Sequence, residues 1–251
     1  VCARSRDSLE RAMVENGCRV TDDFRELAAL PEVDAVDVVL PSCHHARVAI
    51  KALEHGKHVL LEKPMAVSPE QCRRIARAAT EANRVLYIGH EMRLSPLWSA
   101  VKELIERGQL GPHRYAHLET WRRPFRQGAD GWRFEPKSVG SWLLEEPIHL
   151  FDLARWYFQD VGEPETIIAY GNGTHAREGM YQNFNCTIGF PQHAFVVVSH
   201  TTAAFHYRQS VRVTGTEGAV SAEWEGAADR DMGPRICLHW FNGGEIHAPP
   251  M

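Results

Sequence analysis

The sequence predicts an α/β protein: a doubly wound parallel sheet over residues 1–92, followed by a second domain, residues 93–251, built mainly from strands. Two observations predict it. Over the first ninety residues, short β-branched apolar runs alternate with amphipathic helical stretches, the pattern of parallel strands joined by right-handed helical crossovers. After Met92 and one further helix, apolar residues recur with a period of two, which is the signature of half-buried strands.

Val1-Cys2-Ala3 reads as the tail of a buried strand, and Leu9, Ala12 and Met13 lie at helical spacing in the segment after it. Phe24, Leu27, Ala28 and Leu30 form a short helix stopped by Pro31, and Ala35 to Leu40 is a β-branched strand ended by Pro41. His45 to His55 is the next helix, with Val48, Ala49, Ala52 and Leu53 on one face and Gly56 as its cap. Lys57 to Leu61 is the next strand. Ser68-Pro69-Glu70-Gln71 is a helix start, with Ser68 as N-cap, Pro69 at the first helical position and Gln71 completing a capping box. Val85 to Gly89 closes the series.

In the second part, Pro96 to Gly108 places Leu97, Val101, Leu104 and Ile105 on one helical face. Strands are expected at 115–121, 166–170, 183–190, 194–201, 209–214 and 235–241, joined by Gly, Pro and Asn turns. Ile148 to Tyr157 is a helix whose apolar residues wrap more than half its circumference, which predicts burial between the domains. Gly171-Asn172-Gly173 follows a late strand, so its G-x-G spacing reads as a turn.

The composition excludes several classes of function. The 251 residues are 44% hydrophobic and 24% charged, with a net charge of −4 and the 28 Lys and Arg dispersed, so nucleic acid is not an expected partner. No apolar run reaches the length of a membrane helix, and no membrane partner is expected. Six cysteines lie far apart without a C-x-x-C pair, which argues for reduced thiols in a cytoplasmic setting and against a structural zinc. The adjacent His44 and His45 point in different directions and have no partner at ligand spacing, so no metal is expected. The chain starts at Val1 and ends at Met251 just after Pro249-Pro250, and it reads as a fragment, with propeptide removal as the alternative.

The candidate chemistry lies in Glu62-Lys63-Pro64, at the end of an apolar strand, and in Glu145-Glu146-Pro147-Ile148-His149. Pro64 keeps Lys63 extended, at a strand end where open α/β sheets bind ligands. An imidazole carries protons near neutral pH, and an ammonium beside it favours its neutral form and stabilises a developing alkoxide. Lysine, carboxylate and histidine together suggest alcohol or carbonyl chemistry.

Ala49, Leu53, Gly56-Lys57-His58-Val59 and Glu62-Lys63-Pro64 form one block, and Gly131-Trp132-Arg133, Gly140 to Glu145, His149 and Asp152 form a second. In these blocks the chain resembles the Gfo/Idh/MocA oxidoreductases, the glucose-fructose oxidoreductase and inositol dehydrogenase family. The resemblance implies an N-terminal Rossmann domain, incomplete here because its first strand and glycine-rich turn would precede Val1. It also implies a C-terminal domain with a large, open, mainly antiparallel sheet through which a homodimer or homotetramer would form.

By the same resemblance Lys63 orients the reacting hydroxyl, His149 is the acid/base, and Glu145 stands where the family usually has aspartate. Pro41, His45, Glu62 and Lys63 match positions on the nicotinamide side, and Arg93 matches an arginine near the domain junction. The segment that usually presents an acidic residue to the adenosine ribose reads Ala3-Arg4-Ser5-Arg6, and a hydroxyl with guanidinium groups at Ser5 and Arg6 accepts a 2′-phosphate. The cofactor expected is therefore NAD or NADP, with NADP slightly favoured.

The implied function is hydride transfer between nicotinamide and a secondary alcohol or carbonyl of a sugar or cyclitol. An NAD-dependent glycosidase on the same scaffold is one alternative, and a non-catalytic sugar or dinucleotide sensor is the other. Trp121, Arg122, Arg123 and Trp132 read either as a polyol-binding wall or as an oligomer interface, and Asp152 and Arg155 read as stabilising their helix.

Overall fold

The computed structural model describes residues 1–174, 179–227 and 231–249. The chain divides into two units: Val1–Gly89 with Lys137–Gly140, and His90–Pro136 with Ser141–Met251.

The first unit runs α1 (Arg6–Asn16), α2 (Phe24–Ala29), β1 (Ala35–Val38), α3 (His45–Glu54), β2 (His58–Glu62), α4 (Pro69–Ala82) and β3 (Leu86–Gly89). Its sheet is parallel in the order β1-β2-β3, in register so that Val38 faces Leu61 and Glu62 faces Gly89. The parallel sheet of helix-linked strands expected of this unit is present. Val36, Val38, Val59 and Leu61 of the strands and Ala49, Leu53 and Ile75 of α3 and α4 form its core. The helix starts follow from local chemistry: Asp23 accepts the Arg25 N–H at 2.8 Å, and Ser68 accepts that of Gln71 at 3.3 Å.

Three expectations for this unit change. Cys2 makes only an isolated parallel bridge with Thr21, and Val1 is exposed, so residues 1–3 are not a buried strand. Helix α1 buries none of its residues, because no apolar surface covers the side that carries Met13. The capping box of α4 forms in one direction: Ser68 caps the backbone, but the Gln71 side-chain oxygen is buried without a hydrogen-bond partner.

The second unit opens with a 3₁₀ turn at Glu91–Leu94 and α5 (Pro96–Glu106), followed by β4 (His113–Trp121). After the single helical turn α6 (Pro136–Val139) comes α7 (Pro147–Tyr157). The remaining strands are β5 (Thr166–Asn172), β6 (Asn183–Gly189), β7 (Phe195–Thr201), β8 (Tyr207–Gly215), β9 (Ala219–Gly226), β10 (Arg235–Phe241) and β11 (Ile246–His247). They form one eight-stranded sheet in the order β11-β10-β9-β8-β4-β7-β6-β5, antiparallel except for the parallel pair β4 and β7. The large, mainly antiparallel sheet implied by the family resemblance is present.

Helices α5 and α7 cover one face of this sheet. Leu150, Leu153 and Ala154 of α7 pack with Ala116 and Leu118 of β4 and Val196 and Val198 of β7, all essentially inaccessible. Burying each leucine or valine contributes about 1.5–3 kcal/mol. Leu97, Val101, Leu104 and Ile105 of α5 point inward as their spacing predicts. Strands β9 and β11 escape the sequence pattern. In β9 the inward positions alternate Val220, Ala222 and Trp224, but alanine, serine and glutamate dilute its strand propensity, and β11 is two residues long. Gly171 and Asn172 still belong to β5, so the turn begins two residues later than expected.

Candidate functional site

In the first unit, the expected cofactor-side residues gather at the C-terminal ends of parallel strands. Pro41 follows β1 and begins the turn Ser42–His44, and Glu62 ends β2 with Lys63 directly after it. The Glu62 carboxylate accepts the Lys63 backbone N–H at 3.2 Å and lies over Gly89, where an added Cβ would meet it at 3.5 Å. The Lys63–Pro64 peptide bond is cis. This strand-end edge is where open α/β sheets take their ligands.

His45 stands differently from the rest. It is 1% exposed, with Nδ1 2.7 Å from the Pro64 carbonyl oxygen and Nε2 2.8 Å from that of Leu40. Its ring braces the loop after β2 against the end of β1, with both ring nitrogens facing backbone carbonyls. Ser5 and Arg6 lie together at the start of α1, both exposed, and Ser5 makes no side-chain capping bond.

In the second unit, the expected catalytic residues sit at the start of α7. Pro147 at the first helical position fixes the entry of the chain, and Glu146 is the N-cap. His149, in the first turn, is 3% exposed, and its Nε2 lies 3.3 Å from Oε1 of Glu91. The ring of His90 meets that of His149 edge-on, with centroids 6.3 Å apart. The turn that carries both residues is pinned to α7: Arg93 donates from Nε and Nη2 to the two carboxylate oxygens of Asp152 at 2.7 and 2.6 Å.

Glu145, 5% exposed, accepts a hydrogen bond from Arg133 Nε at 2.9 Å. Arg133 also stacks on Trp132, and its carbonyl accepts the Trp142 indole N–H at 2.9 Å.

Beside these residues lies a polar patch in the otherwise apolar sheet face. Glu146 accepts hydrogen bonds from Arg122 Nη1 at 2.6 Å, from Gln209 Nε2 at 3.3 Å and from the Tyr207 hydroxyl. Arg122 in turn lies over the Phe125 ring at 4.3 Å. Arg122, read from sequence as part of a polyol wall or an oligomer interface, is a half of this ion pair. His200 on β7 is buried between Phe125 and Phe184, and neither ring nitrogen has a hydrogen-bond partner. Burial lowers its pKa to about 4, opposed by the Glu146 charge and reinforced by Arg122.

Sequence reasoning missed Glu91, the Arg133 partner of Glu145, and the donors around Glu146. The one available signal was the Arg133 position within the Gly131-Trp132-Arg133 block; Glu91 carried none. Among the described residues, no three His, Cys, Asp or Glu side chains are grouped to hold a metal ion, and no helix is long and apolar enough to cross a membrane.

Residues 1–90 match the family described as "Oxidoreductase family, NAD-binding Rossmann fold", and residues 98–221 match the GFO/IDH/MocA C-terminal domain. The chain is 41% identical over 163 residues to a 1-carboxy-3-chloro-3,4-dihydroxycyclo hexa-1,5-diene dehydrogenase of Comamonas testosteroni, covering 64% of this chain and 41% of that protein. It is 31% identical over 166 residues to an inositol 2-dehydrogenase of Rubrobacter xylanophilus, covering 65% of this chain and 45% of that protein. The chain thus spans under half the length of either curated relative. The crystal structure of an aldose-aldose oxidoreductase from Caulobacter crescentus, complexed with glycerol, matches with a TM-score of 0.84 at 23% identity, over 99% of this chain and 74% of that one, a likeness of fold.

Proposed function

We propose that this chain, which belongs to the GFO/IDH/MocA oxidoreductase family, carries the substrate-handling residues of an NAD(P)-dependent dehydrogenase for a secondary alcohol or carbonyl of a sugar or cyclitol. The observation that carries this reading is His149: a buried imidazole at a helix start, held by a pinned turn, with a carboxylate 3.3 Å from Nε2. That is the environment of a general base.

In the oxidative direction His149 takes the hydroxyl proton, while the Lys63 ammonium stabilises the forming alkoxide. Glu145, fixed by Arg133, orients the hydroxyls of the substrate and the imidazole. The nicotinamide, when bound, supplies the hydride acceptor. Pro41, Glu62 and Lys63 would line its ring side, with His45 bracing that edge through the Pro64 and Leu40 carbonyls. Ser5 and Arg6, exposed at the start of α1, favour a 2′-phosphate and hence NADP over NAD.

The named relatives act on ring polyols and dihydroxylated rings, which supports a cyclitol or sugar substrate. The edge strand β5 exposes Ile167, Ile168 and Tyr170, which supports assembly of a dimer or tetramer through this sheet. Six unpaired cysteines support a cytoplasmic setting.

The test is absorbance of the reduced nicotinamide with the full-length protein, offering NAD and NADP against inositols, aldoses and their keto forms. Growth of that band with one polyol supports the reading. Cleavage of aryl glycosides without net reduction of the cofactor moves it to the glycosidase class.

A further inference from the structure

A carboxylate 3.3 Å from the His149 imidazole nitrogen comes from outside the helix and outside both sequence blocks. Glu91 sits in the 3₁₀ turn Glu91–Leu94, and its Oε1 is 3.3 Å from His149 Nε2. The two partners differ sharply in access to water: the His149 side chain is 3% exposed and that of Glu91 is 66% exposed. A buried base that accepts a proton in each turnover must pass it on before it can act again, and a carboxylate that touches the ring and reaches solvent is a route for that transfer.

The segment that carries Glu91 is anchored on both sides. Met92, next in the turn, is buried in the core of the unit, and Arg93 is bonded through two N–H groups to Asp152, one helical turn after His149 on α7. His90, on the other side, stands 3.8 Å from the same Asp152 and edge-on to the His149 ring. His90, Met92 and Arg93 therefore hold this segment in place beside the helix that carries the imidazole. From this turn, Glu91 meets His149 at Nε2 and His90 meets its ring edge-on, while Arg93 and His90 both lie against Asp152 of the same helix.

We infer that Glu91 is the proton exit of this site: it receives the proton that His149 takes from the substrate hydroxyl and releases it to water. The inference rests on the dehydrogenase reading. In the oxidative step the O–H bond breaks toward His149, the C–H bond breaks with its electron pair accepted by the nicotinamide, and the carbonyl forms. The imidazolium then loses a proton to the Glu91 carboxylate, which returns it to solvent, and in reduction the protons run the other way. Glu91 does not touch the reacting carbon, so it is a relay and positioning residue.

Two measurements test it. The first needs no substrate: NMR titration of the His149 ring in the protein as it stands, compared with Glu91→Gln and Glu91→Asp. Loss of the facing negative charge lowers the His149 pKa in Glu91→Gln and leaves it near the parent value in Glu91→Asp; identical titrations in all three overturn the contact. The second is turnover with the polyol and cofactor selected by the absorbance panel, at increasing concentrations of imidazole buffer. Glu91→Gln lowers kcat about tenfold or more at low buffer, with KM little changed, and the buffer restores it. A buffer-independent loss, or no loss, overturns the relay.

His149→Asn separates the two levels. If it abolishes turnover while Glu91→Gln behaves as the parent at every buffer concentration, only the relay fails. If His149→Asn turns over normally, the dehydrogenase reading fails and the relay with it.

Discussion

Arg93 and Asp152 meet end to end, with two parallel N–H···O bonds of 2.7 and 2.6 Å joining the turn after β3 to the middle of α7. Charge-assisted bidentate pairs of this kind give both energy and direction. Asp152, expected only to stabilise its own helix, instead ties that helix to a segment 59 residues earlier in the chain. Arg93→Ala is expected to lower stability by about 2 kcal/mol, measured by urea denaturation, and Arg93→Lys to recover only part of it because one ammonium cannot reproduce the fork. Equal stability of parent and Arg93→Ala would contradict the role.

Glu146 faces the Arg122 guanidinium in a place where both side chains are mostly buried, 13% and 12% exposed. Removing the carboxylate takes the 2.6 Å ion pair from a mostly buried guanidinium and the acceptor from Tyr207 and Gln209. Glu146→Ala is expected to cost about 3–5 kcal/mol in denaturant midpoint analysis. The double variant Glu146→Leu with Arg122→Met should cost much less, because it removes both charges from the sheet face; similar losses in the two would show that volume, and not the uncompensated charge, sets the effect.

His200 provides a pH dependence of stability with a definite sign. Burial holds its folded-state pKa at about 4, below the unfolded value of about 6.5. Above the unfolded value both states bind no proton there, and the full stability is present. As pH falls toward about 4, the unfolded state takes up a proton that the folded state refuses, so stability declines by about 3 kcal/mol across that window. Thermal or urea unfolding from pH 7 to pH 4 should show this decline, and His200→Phe should flatten the part due to this ring. A variant with the parent's slope would remove His200 as its source.

Lys63→Met should keep the fold, since the side chain stands at a strand end and the strand core is formed by Val59 and Leu61. Its kcat is expected to fall by about a hundred- to a thousandfold, the loss of one donor to a developing oxyanion. Circular dichroism establishes the fold, and steady-state rates with the substrate found by the absorbance panel establish the loss. Near-parent turnover would remove Lys63 from the chemistry.

Much of the fold was legible because it is written in local patterns. The alternation of β-branched runs with amphipathic helices marks the parallel sheet, Ser68-Pro69 marks the start of α4, and the period-two stretches mark most of the second sheet. Periodicity is legible when the periodic residues are large, as in α5, and goes unread where small residues dilute it, as in β9, although burial there still alternates. The candidate site was legible as residue types: Lys63 after a strand, and Glu145 with His149 at a helix start.

What the sequence determined by itself, then, is where backbone turns into strand or helix and which residues could carry chemistry, since those depend on neighbours within a few positions. Only the tertiary structure decided which partner each charged group takes: Arg133 for Glu145, Glu91 for His149, Arg122 and Tyr207 for Glu146. The physical reason is that a long polar side chain finds its partner wherever packing of distant segments leaves a buried charge to be satisfied. That packing is fixed by the apolar faces of the helices and sheet, and no periodicity along the chain records it.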